Sequence, residues 1–504
     1  MSFFRFNRIF NNDNRTTRGM YFGKPEAEGE TVPGQSLKEY YEDFLHISDA
    51  FQQGCFIFTG RKGVGKSAFV KHLLDNEGED NEIYCDVVTN NNVNLEKIIQ
   101  SIPSEIINKD EVIFEWIILT RMIKLLLKNK SGSASKGYDS LRKFESKNSG
   151  IANVENWMPI EEESHSGLSV NFSDLWKGFP FAFTKKFQSK HMRAPFYTLI
   201  PSLKEIVSSM LNYDTYANIN FILMFDDLDV NFKLNDLSHK ERLMSLLRVT
   251  KQYNTQVFPN PNSRVLIMLR DDIALQLDGV APDKNKMFSS YEFNLNWYES
   301  DNRNNEQNIT LRQFINKRIA VCFDKLNIPY NEEDPWLSLV DNTPCANYNN
   351  KTAFKYILDH TFYRPRDLVV LFRDIDKKDY PIPLNSFFVK QLLKNYVDWN
   401  ANEIKDELSN SYSPEQIGFI FNIFEKIAER GTSYKYEDVL NFFIEAGLME
   451  SDFEKMLEYS FIIPLDCNQY QYFSYRERPK VSKKDSYIYR LPKCLYIYFH
   501  LNYF

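Results

Sequence analysis

The sequence has no apolar run long enough to cross a membrane; its most apolar stretches, at 221–225 and 265–269, have the length of strands. Its six cysteines, at 55, 85, 322, 345, 467 and 494, are too scattered to pair as zinc ligands or as a CxxC redox motif. They are also too sparse for a disulfide framework, so they read as reduced thiols. Seven histidines, none at a metal-ligand spacing, put no second, metal-dependent centre in view. Positive charge is in deficit: 61 Lys and Arg against 68 Asp and Glu give a formal net charge of −7. That excludes a surface coated for non-specific nucleic-acid binding but leaves room for a local basic patch. The first residues, Met1-Ser2-Phe3-Phe4-Arg5-Phe6-Asn7-Arg8, interrupt their aromatics with arginines and build no signal-peptide core. Together these absences predict a cytoplasmic protein with no membrane segment.

What is present is a chain of 504 residues, 43% hydrophobic and 26% charged, which is globular in composition and long enough for about three domains. A polar arm and a helix at 36–50 open it. From Cys55 the pattern becomes α/β: an apolar strand at 55–59, a glycine-rich loop, a helix at 67–74 and a second strand at 82–88 make a parallel βαβ unit. A long amphipathic helix follows at 110–128. The polar, punctuated stretch at about 130–195 reads as an insertion or mobile lobe. Strands at 220–225 and 264–269 are continuously apolar, as central strands buried on both faces are. The period is helical from 310 to about 408, and three strands, at 461–465, 469–475 and 487–491, follow the last helices. The expected fold is therefore an α/β P-loop domain at 51–310 behind an arm at 1–50. A helical lid at 311–408 and a winged-helix-like α+β domain at 409–504 complete it.

The strongest chemical signal is Gly60-Arg61-Lys62-Gly63-Val64-Gly65-Lys66-Ser67, where three of only 18 glycines fall between a strand and a helix. Glycine permits the tight, positive-φ path on which backbone N–H groups wrap a phosphate. The Lys66 ammonium offsets β/γ-phosphate charge, and the Ser67 hydroxyl ligates Mg²⁺. The expected nucleotide-binding set is Gly60, Arg61, Lys62, Gly63, Val64, Gly65, Lys66, Ser67 and Ala68. The acidic element such a loop needs ends the strand at 220–225: Asp226 would hold the magnesium through water and Asp227 would polarise the attacking water. Aspartates there also suit a helix N-cap, a reading as good as any for Asp229. The next strand ends in Arg270-Asp271-Asp272, where Arg270 would sense the γ-phosphate or be merely ion-paired. In the helical region, Tyr363-Arg364-Pro365-Arg366-Asp367 presents two arginines at a helix start. Arg366, and less strongly Arg364, would reach the phosphate from a second domain, or form a salt bridge with a carboxylate instead. Near the C-terminus, Arg476-Glu477-Arg478-Pro479-Lys480-Val481-Ser482-Lys483-Lys484 would be a basic wing tip, although the helix at 451–459 beside it is acidic.

Over residues 20 to about 400 the chain resembles the bacterial P-loop ATPases related to the origin-recognition, KAP and STAND groups of AAA-like NTPases. The residues that carry the resemblance are Phe22-Gly23 with Ala27-Glu28, the loop, Asp226-Asp227-Leu228-Asp229, the strand ending in Arg270, and Arg364-Pro365-Arg366-Asp367. The resemblance implies ATP used as a conformational switch, in proteins often found beside effector genes in anti-phage defence. Two departures stand out: the insertion has none of the membrane helices of KAP-type members, and Val230 stands where many relatives have an arginine. The expectation is a switch that binds and hydrolyses ATP with Mg²⁺, acts on an effector or toxin protein encoded nearby, and works as a homo-oligomer. The alternative is a DNA-binding ATPase of replication or partition type that engages nucleic acid through 409–504.

Overall fold

The computed structural model describes residues 15–31, 35–89, 102–148, 169–183, 193–228, 236–258, 262–298, 305–429, 433–468, 471–474 and 486–500. Two compact units divide the chain: His46–Leu295, and Met1–Leu45 together with Asn296–Phe504. The units thus part at 45/46 and 295/296, where composition had suggested 50, 310 and 408. The N-terminal arm belongs with the C-terminal half.

The first unit is built on a five-stranded sheet of β1 (Ile57–Gly60), β2 (Ile83–Val88), β5 (Asn220–Phe225), β6 (Arg264–Arg270) and β7 (Glu292–Asn294). All its pairings are parallel and the spatial order is β2-β5-β6-β1-β7. The continuous apolar runs of β5 and β6 are buried throughout, as strands covered on both faces must be. Helix Lys109–Lys128 lies on β2 and β5 and against helices Phe196–Leu211 and Leu237–Gln252. Trp116, Ile117, Ile118 and Leu119 are all buried, so this helix is covered all round and not on one stripe alone. The insertion proves ordered where it is described. Helix Lys136–Lys147 starts at Ser135, whose side chain accepts from the Tyr138 N–H, and buries Leu141 and Phe144. β3 (Ser169–Asn171) and β4 (Arg193–Pro195) pair antiparallel beside it, while 149–168 and 184–192 lie outside the described residues.

In the second unit, helices Thr310–Leu326, Trp336–Leu339, Ala353–Asp359, Pro365–Phe372 and Ser386–Leu408 follow one another. Arg312 anchors them: its guanidinium is buried, bonds Asp334 at 3.0 and 3.2 Å and Glu306 at 3.1 Å, and lies 4.8 Å from the rings of Trp336 and Phe354. Helices Pro414–Ile427, Tyr436–Glu445 and Glu450–Glu458 come next, with an antiparallel sheet of β8 (Tyr434–Lys435), β9 (Ile463–Leu465) and β10 (Ile488–Arg490) in the order β8-β10-β9. Of the expected third strand at 469–475, only 471–474 lie among the described residues. There Gln471 makes a single bridge to Leu465, and the two-residue β8 takes the third place in the sheet. The expected wing tip at 476–484 lies outside the described residues. Among those residues no helix is long and apolar enough to cross a membrane.

The N-terminal arm is locked into this unit by a buried ion pair. Arg318 donates to the Phe22 carbonyl at 2.6 Å and to Glu30 at 3.2 Å, and Glu30 also accepts from the Lys24 N–H at 2.8 Å. Gly23, between them, has φ +107°, and a Cβ there would lie 2.1 Å from an Arg318 nitrogen and 2.2 Å from a Glu30 oxygen. Gly23→Ala is expected to lower unfolding free energy by about 3 kcal/mol, since backbone strain adds to a displaced buried ion pair. Gly447→Ala, with φ +74° and no atom within 4 Å, should cost only about 1 kcal/mol. Urea unfolding of the two variants reads the difference.

Candidate functional site

Parallel strands bring their C-terminal ends to one edge of the sheet, where ligands of open α/β folds sit. β1 ends at Gly60, and the loop that follows turns through Gly63 and Gly65, at φ +85° and +106°, into helix Lys66–Asp75. Gly60 is glycine for a different reason. A Cβ there would lie 2.7 Å from Val64 and 3.2 Å from the Leu295 carbonyl oxygen. At Gly65 an added Cβ would meet nothing within 4 Å, so φ alone demands glycine and the concavity before the helix is open. The amides of Lys66, Ser67 and Ala68 form the first turn, whose N–H groups have no acceptor one turn back. Loop, glycines and helix start together form an anion cradle.

Lys66 folds back over this loop, its ammonium 2.6 Å from the Gly60 carbonyl oxygen and 3.2 Å from that of Arg61. Burial pushes its pKa below the ordinary lysine value; Asp271, Asp226 and Asp272 oppose the shift and Arg270 adds to it. The ammonium thus lies over the carbonyl end of β1. Asp226 extends the β5–β2 ladder through its N–H to the Val88 carbonyl at 3.1 Å and is buried. Asp227, at φ +51°, then turns the chain off the sheet. Asp229 and Val230 lie outside the described residues.

β6 runs between β1 and β5, and its register sets Arg270 directly opposite Gly60. The Arg270 guanidinium is buried and forked onto Asp272, at 3.0 Å through Nε and 2.8 Å through Nη2. The sequence offered a sensor or an ion pair for Arg270; an ion pair is the state observed. Asp271 accepts from Asn294 at 3.0 Å, and the same Asn294 amide donates to the Thr59 hydroxyl at 2.9 Å. The Thr59 hydroxyl in turn donates to Glu292. Sequence reasoning assigned no role to Thr59, Asp271, Asp272, Glu292 or Asn294. The acidic pair after Arg270 was a usable signal, whereas nothing in the pattern marked Asn294.

Oxygen donors suit magnesium: Ser67 on the first turn of the helix and Asp226 at the tip of β5, one strand removed from β1, have the right chemistry. Among the described residues no group of three or more His, Cys, Asp or Glu is arranged to hold a metal unaided. Magnesium bound by one carboxylate, one hydroxyl and the phosphates themselves is the arrangement such a donor set supports.

The two arginines of the helical region belong to the second unit and have different surroundings there. Arg364 is buried and bonds Asp367 through Nε at 3.1 Å and Nη2 at 2.8 Å, while Asp367 also accepts from the N–H groups of Phe362 and Arg364. It holds the start of helix Pro365–Phe372 together. Arg366 is half-buried, with Nε 3.0 Å from the Pro25 carbonyl oxygen and Nη1 2.8 Å from Glu403. Its partners within this unit are thus a carbonyl and a carboxylate, the salt bridge that was the alternative to phosphate sensing.

Residues 310–379 match a family described as the FunZ-associated C-terminal helical domain. No curated protein matches the chain. Among solved structures, a Walker-type ATPase of Pyrococcus abyssi is similar at 12% identity and a TM-score of 0.40, over 92% of this chain and 96% of that one.

Removing one member of the buried Arg270–Asp272 pair breaks two charge-assisted hydrogen bonds. Asp272→Ala is expected to lower unfolding free energy by about 3 kcal/mol, and Arg270→Met added to it should recover most of that loss. Urea unfolding of the single and double variants checks both.

Proposed function

We propose that the chain is an ATP-dependent molecular switch that binds ATP at the Gly60–Ser67 loop and hydrolyses it. One observation carries this reading: the glycine loop leaves β1 at the same edge of the parallel sheet where β6 delivers Arg270 opposite Gly60 and β5 ends just before Asp226. The loop amides and Lys66 bind the phosphates, and Asp227 orients and polarises the attacking water. Magnesium, held by Ser67 and Asp226, neutralises phosphate charge. Arg270 reads the γ-phosphate by exchanging Asp272 for it, and a like role for Arg366 entails release of Glu403. Two carboxylates that hold the arginines at rest make the switch responsive to nucleotide and not permanently assembled.

The output is proposed to pass to a partner protein, an effector kept in check or released by nucleotide state, with the chain acting as an oligomer in the cytoplasm. The match of 310–379 to a domain described as FunZ-associated is in keeping with a partner. The helix order and three-stranded sheet of the last hundred residues support a winged-helix reading. The helix in recognition position, Glu450–Glu458, carries Glu450, Asp452, Glu454 and Glu458 against Lys455, which disfavours a DNA phosphate backbone as its target.

Lys66→Ala should abolish binding of ATP. Asp227→Ala should retain binding and lower kcat by about 100-fold or more. Titration of a fluorescent ATP analogue with a phosphate-release assay separates the two effects; an Asp227→Ala variant that turns over at the wild-type rate overturns the assignment of the base.

A further inference from the structure

The residue before the phosphate loop is Thr59, next to last in β1, and the residue after Arg270 is Asp271, the first residue of the helix that follows β6. A single side-chain amide from the edge strand β7 holds both. Asn294 Nδ2 lies 2.9 Å from Thr59 Oγ1 and 3.0 Å from Asp271 Oδ1, and an NH₂ group has one hydrogen for each. The Thr59 hydroxyl gives its own proton to Glu292, also on β7, so its lone pairs face Asn294. The next residue continues the grip: the Leu295 N–H bonds the Thr59 carbonyl at 2.8 Å, and the Leu295 carbonyl oxygen closes over Gly60.

We infer that Asn294 is a positioning residue of the nucleotide site, a cross-brace that fixes the tip of β6 against the strand that launches the phosphate loop. The inference rests on the reading of this edge as an ATP-hydrolysing site. Lys66 leaves β1 through the loop, and Arg270 leaves β6 one residue before Asp271. β1 and β6 pair directly up to Gly60 and Arg270, and the Asn294 amide ties them once more beside that pairing, through Thr59 and Asp271, without touching either cation. The loop alone can hold a nucleotide. Transfer to water needs Arg270 and Lys66 in register, and misplacement by about 1 Å costs on the order of 100-fold in rate.

The test uses the full chain and three variants: Asn294→Ala, Thr59→Val, which removes the hydroxyl at nearly constant volume, and their combination. Asn294→Ala is expected to lower kcat by about 10- to 100-fold while the Kd for a non-hydrolysable ATP analogue moves by less than about threefold. Thr59→Val should act in the same direction, and the double variant should be no slower than the slower single, because both changes break one brace. A kcat for Asn294→Ala within about twofold of wild type overturns the inference, as do losses that multiply in the double variant. A parallel fall of kcat, analogue affinity and unfolding midpoint, the mark of a merely structural residue, overturns it too. If Asn294→Ala does not fold, Thr59→Val decides alone by the same split between kcat and Kd. A wild-type chain that binds no ATP analogue removes the proposed function and this inference with it. A wild-type chain that hydrolyses ATP alongside an unaltered Asn294→Ala removes the inference only.

Discussion

Everything at the candidate site depends on the parallel register that sets Gly60 opposite Arg270. Because β6 is interposed between β1 and β5, the phosphate loop and the Asp226 carboxylate are not on adjacent strands, and the strand between them delivers a guanidinium. A slip of one residue would turn Arg270 to the other face of the sheet and present the apolar Leu269 at the same edge. The buried apolar runs of β5 and β6 guard against such a slip, since a shifted run would misplace every core side chain. Core packing thus fixes site geometry, and the polar residues at the tips inherit it.

Charge balance is the second constraint. Arg270 is forked onto Asp272, and Lys66 is bonded to the carbonyls of Gly60 and Arg61. A phosphate group entering this edge meets amides at the helix start and then two cations that already have partners. On the proposed reading, phosphate binding at Arg270 would exchange one anionic partner, Asp272, for another. Arg366 follows the same principle within the second unit, with Glu403 as its resting partner. Arg364, two residues away, is of another kind: its carboxylate partner also caps the helix, so displacing it would unpick the local fold.

The sequence was most informative where a residue's chemistry is tied to its neighbours along the chain. Gly63 and Gly65 could be read as positive-φ positions because a loop of that spacing needs them, and β5 and β6 because buried strands are continuously apolar. β7 escaped notice because three residues beginning with glutamate and ending with asparagine carry no period, and its pairing with β1 depends on residues more than 200 positions away. Asn294 was invisible for the same reason: its meaning lies in Thr59 and Asp271, which the fold alone brings together. The order within the insertion was hidden by its polar composition, which masks a helix that buries only its Tyr138, Leu141 and Phe144 side. The division at 45/46 has no local mark in the sequence, because the arm's attachment runs to Arg318, 288 residues from Glu30.

That attachment has a consequence for how the chain comes to be folded. Glu30 and Arg318 are 288 residues apart, and the whole of His46–Leu295 lies between them. On a ribosome, the arm emerges first and its buried carboxylate has no counter-ion until helix Thr310–Leu326 of the same unit has been made. The inserted unit, whose sheet closes within its own span, can fold in the interval. The host unit is then completed last, by a loop closure whose entropic cost falls to the short span between the inserted unit's own ends once that unit is formed. Slow synthesis or misfolding of His46–Leu295 would therefore appear first as an undocked arm, because the arm's counter-ion is made only after the fault.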